Sequence, residues 1–338
     1  MIYVHVPFCR SFCTYCDFYS EIVRGGSGLF EGWAAGVCAE IDSRRAEIAA
    51  SMPVNTLYVG GGTPSVLPVK CLERIVEALG CGPYDEFTVE VNPEDIVEKG
   101  PGYVRALTGL GVNRISMGVQ SLDDGILRWM ARRHDADGAR KAHVILSEAK
   151  NLSSRPLSLS VDLITGVPGM SDESLQRTVD EVVSWRPEHV SAYQLSVEEG
   201  SALSEMIASG RVREAPEEQC RRQYGMLCRS LSDAGYHHYE ISNWALPGHE
   251  AVHNSAYWDR RPYVGLGPGA HSLRIFPDGR EVRSWNSKSC TLWTVEGSET
   301  LTPEEIREER IMLLARTDRG PIPERDWFVS DEIIAEMI

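Results

Sequence analysis

Ile2-Tyr3-Val4-His5-Val6, followed at once by Cys9, Cys13 and Cys16, is the stretch on which the reading of this sequence turns. Five residues rich in β-branched and aromatic side chains read as a short strand. The loop after it carries three thiols at spacings of three and two residues, close enough to fold around one compact metal centre. A strand that leads straight into a loop of potential ligands suits a parallel α/β sheet, where sites gather at the carboxyl ends of the strands.

The same unit then repeats. Strands are expected at Ile2–Val6, Thr56–Val59, Phe87–Val91, Arg114–Gly118, Leu157–Leu163 and His189–Leu195. Helices are expected near Phe30–Ala49, Pro68–Leu79, Tyr103–Leu107, Gly125–Met130, Asp137–Ala149 and Asp172–Trp185. Six such units imply a parallel sheet with helices outside it. The expected fold is α/β, a partial (β/α)6 barrel over residues 1–200, with a smaller α+β region over 201–338 packing on it. The alternation by itself also suits an open doubly wound sheet.

The polar and glycine-bearing motifs fall where these strands end. Gly60-Gly61-Gly62-Thr63-Pro64-Ser65 follows the second strand, Glu90-Val91-Asn92-Pro93 closes the third, Gln120-Ser121 follows the fourth and Asp162 ends the fifth. Past residue 200 a helix is expected around Glu217–Leu231, then Tyr236–Ile241 and a long loop over Ser242–His271. Gly265-Leu266-Gly267-Pro268-Gly269-Ala270 reads as a tight turn rather than a dinucleotide fingerprint, because Pro268 interrupts it. Thr302-Pro303-Glu304-Glu305 has the form of a helix start, with Thr302 as cap and Glu305 closing a capping box.

Composition limits the partners. Acidic residues outnumber basic ones 49 to 34, for a formal net charge of -15, which argues against an extended nucleic-acid groove. The basic run Arg128, Arg132, Arg133, Arg140 and Lys141 reads either as a solvated helix face or as a meeting point for an anion. No run approaches twenty apolar residues, so no membrane span is expected. The segment before Cys9 lacks the basic and apolar regions of a secretory signal. Nine cysteines, an odd number, show no paired spacing outside the first loop, and a reducing, cytoplasmic compartment is expected. Cys228 lies on the stripe Tyr224, Leu227, Cys228, Leu231, which reads as a buried helix face; Cys71 lies on a similar one.

Thiolates are soft donors suited to iron–sulfur centres. Three of them leave one iron of a four-iron cluster without a protein ligand, open to an exchangeable molecule. A zinc site is the rival, with His5 as a fourth ligand, and three ordinary thiols are the plainest alternative. An open cluster iron would suit S-adenosylmethionine (SAM). Gly60-Gly61-Gly62 then either admits backbone close to its methionine end or forms a plain turn. Glu90 could pair with the SAM ammonium, Asp162 could accept from ribose hydroxyls and Arg132 could meet a carboxylate; helix capping and solvation are their ordinary roles.

Tyr3-Val4-His5-Val6-Pro7-Phe8-Cys9 through Cys13-Thr14-Tyr15-Cys16-Asp17-Phe18 resembles the signature of the radical SAM haem chaperones, relatives of oxygen-independent coproporphyrinogen III oxidase. The resemblance extends over Gly60–Ser65, Glu90–Pro93, Asn113–Ser121, Asp162–Pro168, Ser191–Tyr193, Tyr239–Trp244, His253–Trp258 and Gly265–His271, nearly the whole chain. It implies a [4Fe-4S] cluster on Cys9, Cys13 and Cys16. It also implies SAM contacts at Tyr3, Gly61, Gly62, Thr63 and Glu90. Tyr15, Gln120, Arg132 and Asp162 match positions around a second SAM in the oxidase.

The function implied is haem binding and delivery to an acceptor haem protein, for instance a respiratory one, with flavodoxin or ferredoxin as reductant. The alternative is radical oxidative decarboxylation of coproporphyrinogen III. Phe18 stands where the oxidase pattern has a further cysteine, and only eight residues precede Cys9; both favour the chaperone. Chaperone relatives continue past Trp327-Phe328 into a small C-terminal domain, whereas this sequence ends at Ile338. His253, within His253-Asn254-Ser255-Ala256-Tyr257-Trp258, is the first haem-ligand candidate by residue chemistry and otherwise a hydrogen-bonded structural histidine. His237, His238 and His249 are weaker candidates.

Overall fold

The computed structural model describes residues 1–23, 27–152 and 156–338. Strand β1 (Ile2–Val6) lies inside a nine-stranded sheet, parallel to β4 (Thr56–Gly61) on one side and to β11 (Val264–Leu266) on the other. From β4 the sheet continues through β5 (Glu86–Val91), β6 (Arg114–Gln120), β7 (Ser158–Thr165) and β8 (His189–Gln194), each parallel to its neighbour. Beyond β8 run β10 (Asn243–Ala245) and β9 (His237–Glu240), both antiparallel to their neighbours. The order is β11-β1-β4-β5-β6-β7-β8-β10-β9, so the sheet stays open. Both of its edges come from beyond residue 200; the change of sequence pattern there does not interrupt the hydrogen-bonded sheet.

Helices α1 (Ser27–Ser43), α2 (Arg45–Ala50), α3 (Val69–Leu79), α4 (Pro93–Gly109), α5 (Asp124–Trp129), α6 (Ala136–Leu152) and α7 (Asp172–Trp185) occupy the crossovers. The strands alternate in polarity. Leu57, Val59, Phe87, Val89, Ile115, Met117, Val119, Val161 and Leu163 are buried in one core with the helices. The intervening Tyr58, Glu90, Arg114, Ser116, Asp162, Ser191 and Tyr193 line a cavity. Period-two alternation therefore sends one half of each strand to the core and the other half to the site.

Two expected helices take a different form. Phe30–Ala49 is two helices, divided at Arg44, which has φ -112° and ψ 17°. The Arg44 guanidinium donates to Glu40, Glu47, the Gly265 carbonyl and Ser272, so the break fastens this helix pair to β11 and its following strand. Tyr103–Leu107 is the end of the longer α4, kinked at Gly100 (φ 67°) just before Pro101. That Gly-Pro pair hides the helix from a periodicity reading.

In the C-terminal region are α8 (Ala202–Ala208), α9 (Glu217–Asp233), α10 (Val252–Trp258) and an antiparallel sheet of β12 (His271–Ile275), β13 (Glu281–Asn286) and β14 (Val295–Thr300). Then come α11 (Pro303–Leu314), a 3-10 turn over Glu324–Val329 and α12 (Ser330–Met337). The expected capping box is formed at Thr302 and Glu305. The Gly265–Ala270 segment is a turn from β11 into β12, with Gly267 and Gly269 at positive φ.

Phe87 is fully buried on the core side of β5. Phe87→Ala is expected to destabilise the protein by about 3–5 kcal/mol. Urea unfolding checks this: the midpoint should fall with an unchanged slope, and an unmoved midpoint would contradict the placement.

Candidate active site

The strand ends surround a cavity of about 610 Å³. Cys9, Cys13, Cys16, Tyr15, Gly61, Gly62, Thr63, Glu90, Gln120, Arg132 and Asp162 all line it, so it collects every expected cluster and SAM residue except Tyr3, and none of the candidate haem histidines. The Tyr3 hydroxyl instead bonds to His5 Nδ1 at 3.0 Å.

The cysteine loop is held at its base by a short parallel pair, β2 (Phe8–Cys9) and β3 (Glu21–Ile22). At its tip Thr14 N donates to the Met130 carbonyl (3.2 Å), and Leu203 N donates to the Thr14 carbonyl (2.8 Å). The loop is thus pinned to the end of α5 and the start of α8. All three thiols are free and partly exposed. Cys9 Sγ is 3.5 Å from Thr63 Oγ1, and Arg132 Nη1 donates to Cys13 Sγ at 3.3 Å. Burial raises the Cys9 thiol and pushes Cys16 up to about 11, so thiolates here call for a cation to balance them. The zinc alternative loses its fourth ligand. His5 Nε2 faces the Tyr19 carbonyl at 2.8 Å and Nδ1 faces Tyr3, so both ring nitrogens are engaged. Three free thiols on one pinned loop, opening on a cavity, fit a cluster with an exchangeable position.

The glycine-rich strand end joins this loop through the backbone. Gly62 N donates to the Val6 carbonyl and Thr63 N to the Phe8 carbonyl, both at 2.8 Å. A Cβ on Gly62 would lie 2.8–2.9 Å from the carbonyl oxygens of Phe8 and Val6. Gly61, at φ 107°, would drive a Cβ into the His5 ring. The missing side chains are therefore first needed for internal packing against β1 and the cysteine loop.

Glu90 sits beside these glycines. Tyr58 OH donates to its Oε1 (2.7 Å) and Gly61 N to its Oε2 (3.2 Å). Burial raises the carboxyl to about 7 against those bonds. Burial likewise raises Asp162, whose two oxygens accept from Ser116 Oγ at 2.9 and 3.0 Å. Arg132 spans the site: besides Cys13 it reaches Asn92 Oδ1 (2.6 Å) and the Gly118 carbonyl (2.9 Å). It follows Ala131 at φ 57°, and Gln120 has φ 65° where the β6–β7 register shifts. Two of the four non-glycine residues at positive φ, Gln120 and Ala131, thus border the cavity, where local strain turns side chains into the site.

Residues 3–182 match the radical SAM superfamily model. The chain is 34% identical over 334 residues to the haem chaperone HemW of Mycobacterium tuberculosis, covering 94% of this chain and 82% of that one. It is 32% identical over 339 residues to HemW of a Synechocystis species, covering 94% and 78%. The chain belongs to the haem chaperone family of radical SAM proteins. Among solved structures, the radical SAM coproporphyrinogen III oxidase HemN of Escherichia coli superposes with a TM-score of 0.75 at 21% identity, over 94% of this chain and 75% of that one. That likeness speaks for the fold.

His253 is not among the residues that line the cavity, although the neighbouring Asn254 is. His253 is 1% exposed, and its ring nitrogens meet Thr56 Oγ1 at 2.8 Å and Tyr257 OH at 3.2 Å. Burial pushes its pKa down to about 3. It lies at the start of α10, where Glu86 accepts from the backbone N–H groups of Val252 and His253. Sequence reading missed the roles of Tyr58, Ser116, Ser191 and Arg114 in the cavity wall. Their signal was the alternation Thr56-Leu57-Tyr58-Val59 and Arg114-Ile115-Ser116-Met117, which marks polar positions opposite the apolar ones.

Gly62→Ala is expected to cost about 1–3 kcal/mol through overpacking and to displace the cysteine loop. Unfolding midpoints and iron content after anaerobic loading check it; full iron retention with wild-type stability would contradict the close approach.

Proposed function

We propose that this protein holds a [4Fe-4S] cluster on Cys9, Cys13 and Cys16, binds SAM beside it, and carries haem to an acceptor haem protein. The observation behind this reading is the pinned loop of three free thiols at the cavity, in a chain that aligns over most of its length with proteins named haem chaperones. When bound, the cluster supplies an electron for cleaving the sulfonium of SAM.

The protein's own groups prepare the site. Glu90 is placed to pair with the ligand ammonium next to the Gly61 N–H, and Asp162 with Ser116 to meet ribose hydroxyls. Arg132 holds Cys13 and Asn92 in fixed relation and steadies negative charge at the thiolate. Tyr15, Gln120 and Thr63 complete the wall, and Tyr3 acts through His5. Haem suits the rim. Phe12, Phe18 and Tyr193 are 53%, 65% and 45% exposed around the cavity, an apolar setting for a flat macrocycle. The exposed Phe18 occupies the position of the oxidase's additional cysteine, which favours carriage over decarboxylation. A flavodoxin- or ferredoxin-like reductant would serve the cluster. Among the described residues no helix is long and apolar enough to cross a membrane. Nine free thiols suit the reducing cytoplasm.

Anaerobic reconstitution tests this reading. Loaded protein should bind haem, seen as a shifted Soret band, and pass it to an apo-acceptor. Formation of protoporphyrinogen from coproporphyrinogen III without haem transfer would overturn it. Cys13→Ala should lose the cluster and SAM cleavage, checked by iron content and methionine release. A second outcome concerns pH. Because Glu90 is protonated below about 7, SAM affinity should rise roughly tenfold between about pH 6 and about pH 7.5. Calorimetry on Glu90→Gln should give weaker binding without that rise; an unchanged pH profile would remove Glu90 from the ammonium contact.

A further inference from the structure

Outside the cavity, three side chains from separate elements converge. Cys228 of α9, His238 of β9 and Glu324 of the 3-10 turn bring one donor atom each to within 4.8 Å of one another. None of them lines the cavity. The His238 side chain is 2% exposed. Its ring stacks on Trp244 at 4.0 Å between centroids and meets the edge of Trp327 at 4.5 Å.

The decisive detail is what the two ring nitrogens face. Nδ1 lies 2.8 Å from Glu324 Oε1, and Nε2 lies 3.4 Å from the Ile241 carbonyl. Both partners are acceptors, yet a neutral imidazole carries one N–H. A proton on Nδ1 serves Glu324 and leaves none for the Ile241 carbonyl; a proton on Nε2 serves Ile241 and turns the Nδ1 lone pair toward the carboxylate. A cation bound jointly by Nδ1 and the carboxylate suits the second arrangement, and Cys228 offers a third donor to it. A ligating histidine whose other nitrogen donates to a backbone carbonyl is the usual arrangement at metal centres. The same carbonyl is fixed by Tyr224 OH at 3.0 Å.

We propose that Cys228, His238 and Glu324 bind a divalent transition metal, zinc by the chemistry of the donors, and fasten the C-terminal turn to the sheet. Thiolate and carboxylate together balance the dication, and sulfur, nitrogen and oxygen are all ordinary zinc donors. Glu324, with its side chain 54% exposed, opens the remaining position to solvent. The segment gains from such a clamp because its own core is small: Ala315, Ile322, Trp327 and Ile334 are its buried apolar residues. Cys228 is then a ligand on the rim of its helix stripe, where Leu227 and Leu231 are fully buried and Cys228 is not.

The test uses cluster-loaded protein, so that the first three cysteines are occupied. It is equilibrated with zinc chloride, gel-filtered and analysed for zinc and iron. The expected result is a single zinc ion per chain, a zinc-edge absorption spectrum with one sulfur donor, and a higher Tm in zinc. Glu324→Gln should weaken zinc binding at least about tenfold. Cys228→Ser should remove the sulfur from the spectrum. Failure to retain zinc overturns the proposal, as does equal retention in both variants or a spectrum with several sulfurs. So does nitrogen NMR showing His238 doubly protonated in the presence of zinc, which would make the trio an imidazolium–carboxylate pair.

Discussion

Backbone meets backbone where β1 gives way to the cysteine loop, and the rest of the site depends on that approach. Gly62 N reaches the Val6 carbonyl and Thr63 N the Phe8 carbonyl, with no room for a side chain at Gly62. These bonds extend the β1–β4 pairing past the strand ends and set the distance between the thiols and Glu90. Thr63 then lies against Cys9, and Gly61 against Glu90. A local close contact therefore fixes the relation between two halves of a site drawn from residues more than fifty positions apart in the chain.

Electrostatics adds a second level of order. The cavity wall buries Glu90 and Asp162, each held partly toward its neutral form by desolvation and partly toward its charged form by hydroxyl or backbone donors. Such groups are poised rather than satisfied: a hydrogen-bond donor or a positive charge favours their ionised form, and desolvation opposes it. Arg132 plays the reciprocal part at Cys13, where a positive group waits for negative charge on sulfur.

Much of this arrangement was legible in the sequence. All six core strands occur where alternation and β-branching place them, and α7 spans the expected Asp172–Trp185. Strand-end motifs predicted the common edge because a parallel sheet forces every carboxyl end to one side. Local pattern failed where tertiary contacts decide. The break at Arg44 follows from a guanidinium shared with residues more than two hundred positions away. Only the Tyr103–Leu107 end of the kinked α4 was legible, because Gly100 and Pro101 interrupt its period. Tyr58 and Ser116 acquire meaning only when inward and outward faces are known. His253 shows the opposite limit: a suggestive motif cannot reveal that both its nitrogens are already taken.

The partner of β1 on its outer side has a consequence for how the molecule comes into being. Val264 N donates to the Met1 carbonyl, and β11 pairs with the first strand across some two hundred and sixty residues of intervening chain. A nascent chain leaving the ribosome presents its cysteine loop well before the strand that flanks it, which follows only after roughly two hundred and forty further residues. Such distant pairing makes loop closure late and slow. The thiols thus spend synthesis on an unfinished edge, and metal loading is best timed to follow the release of the complete sheet.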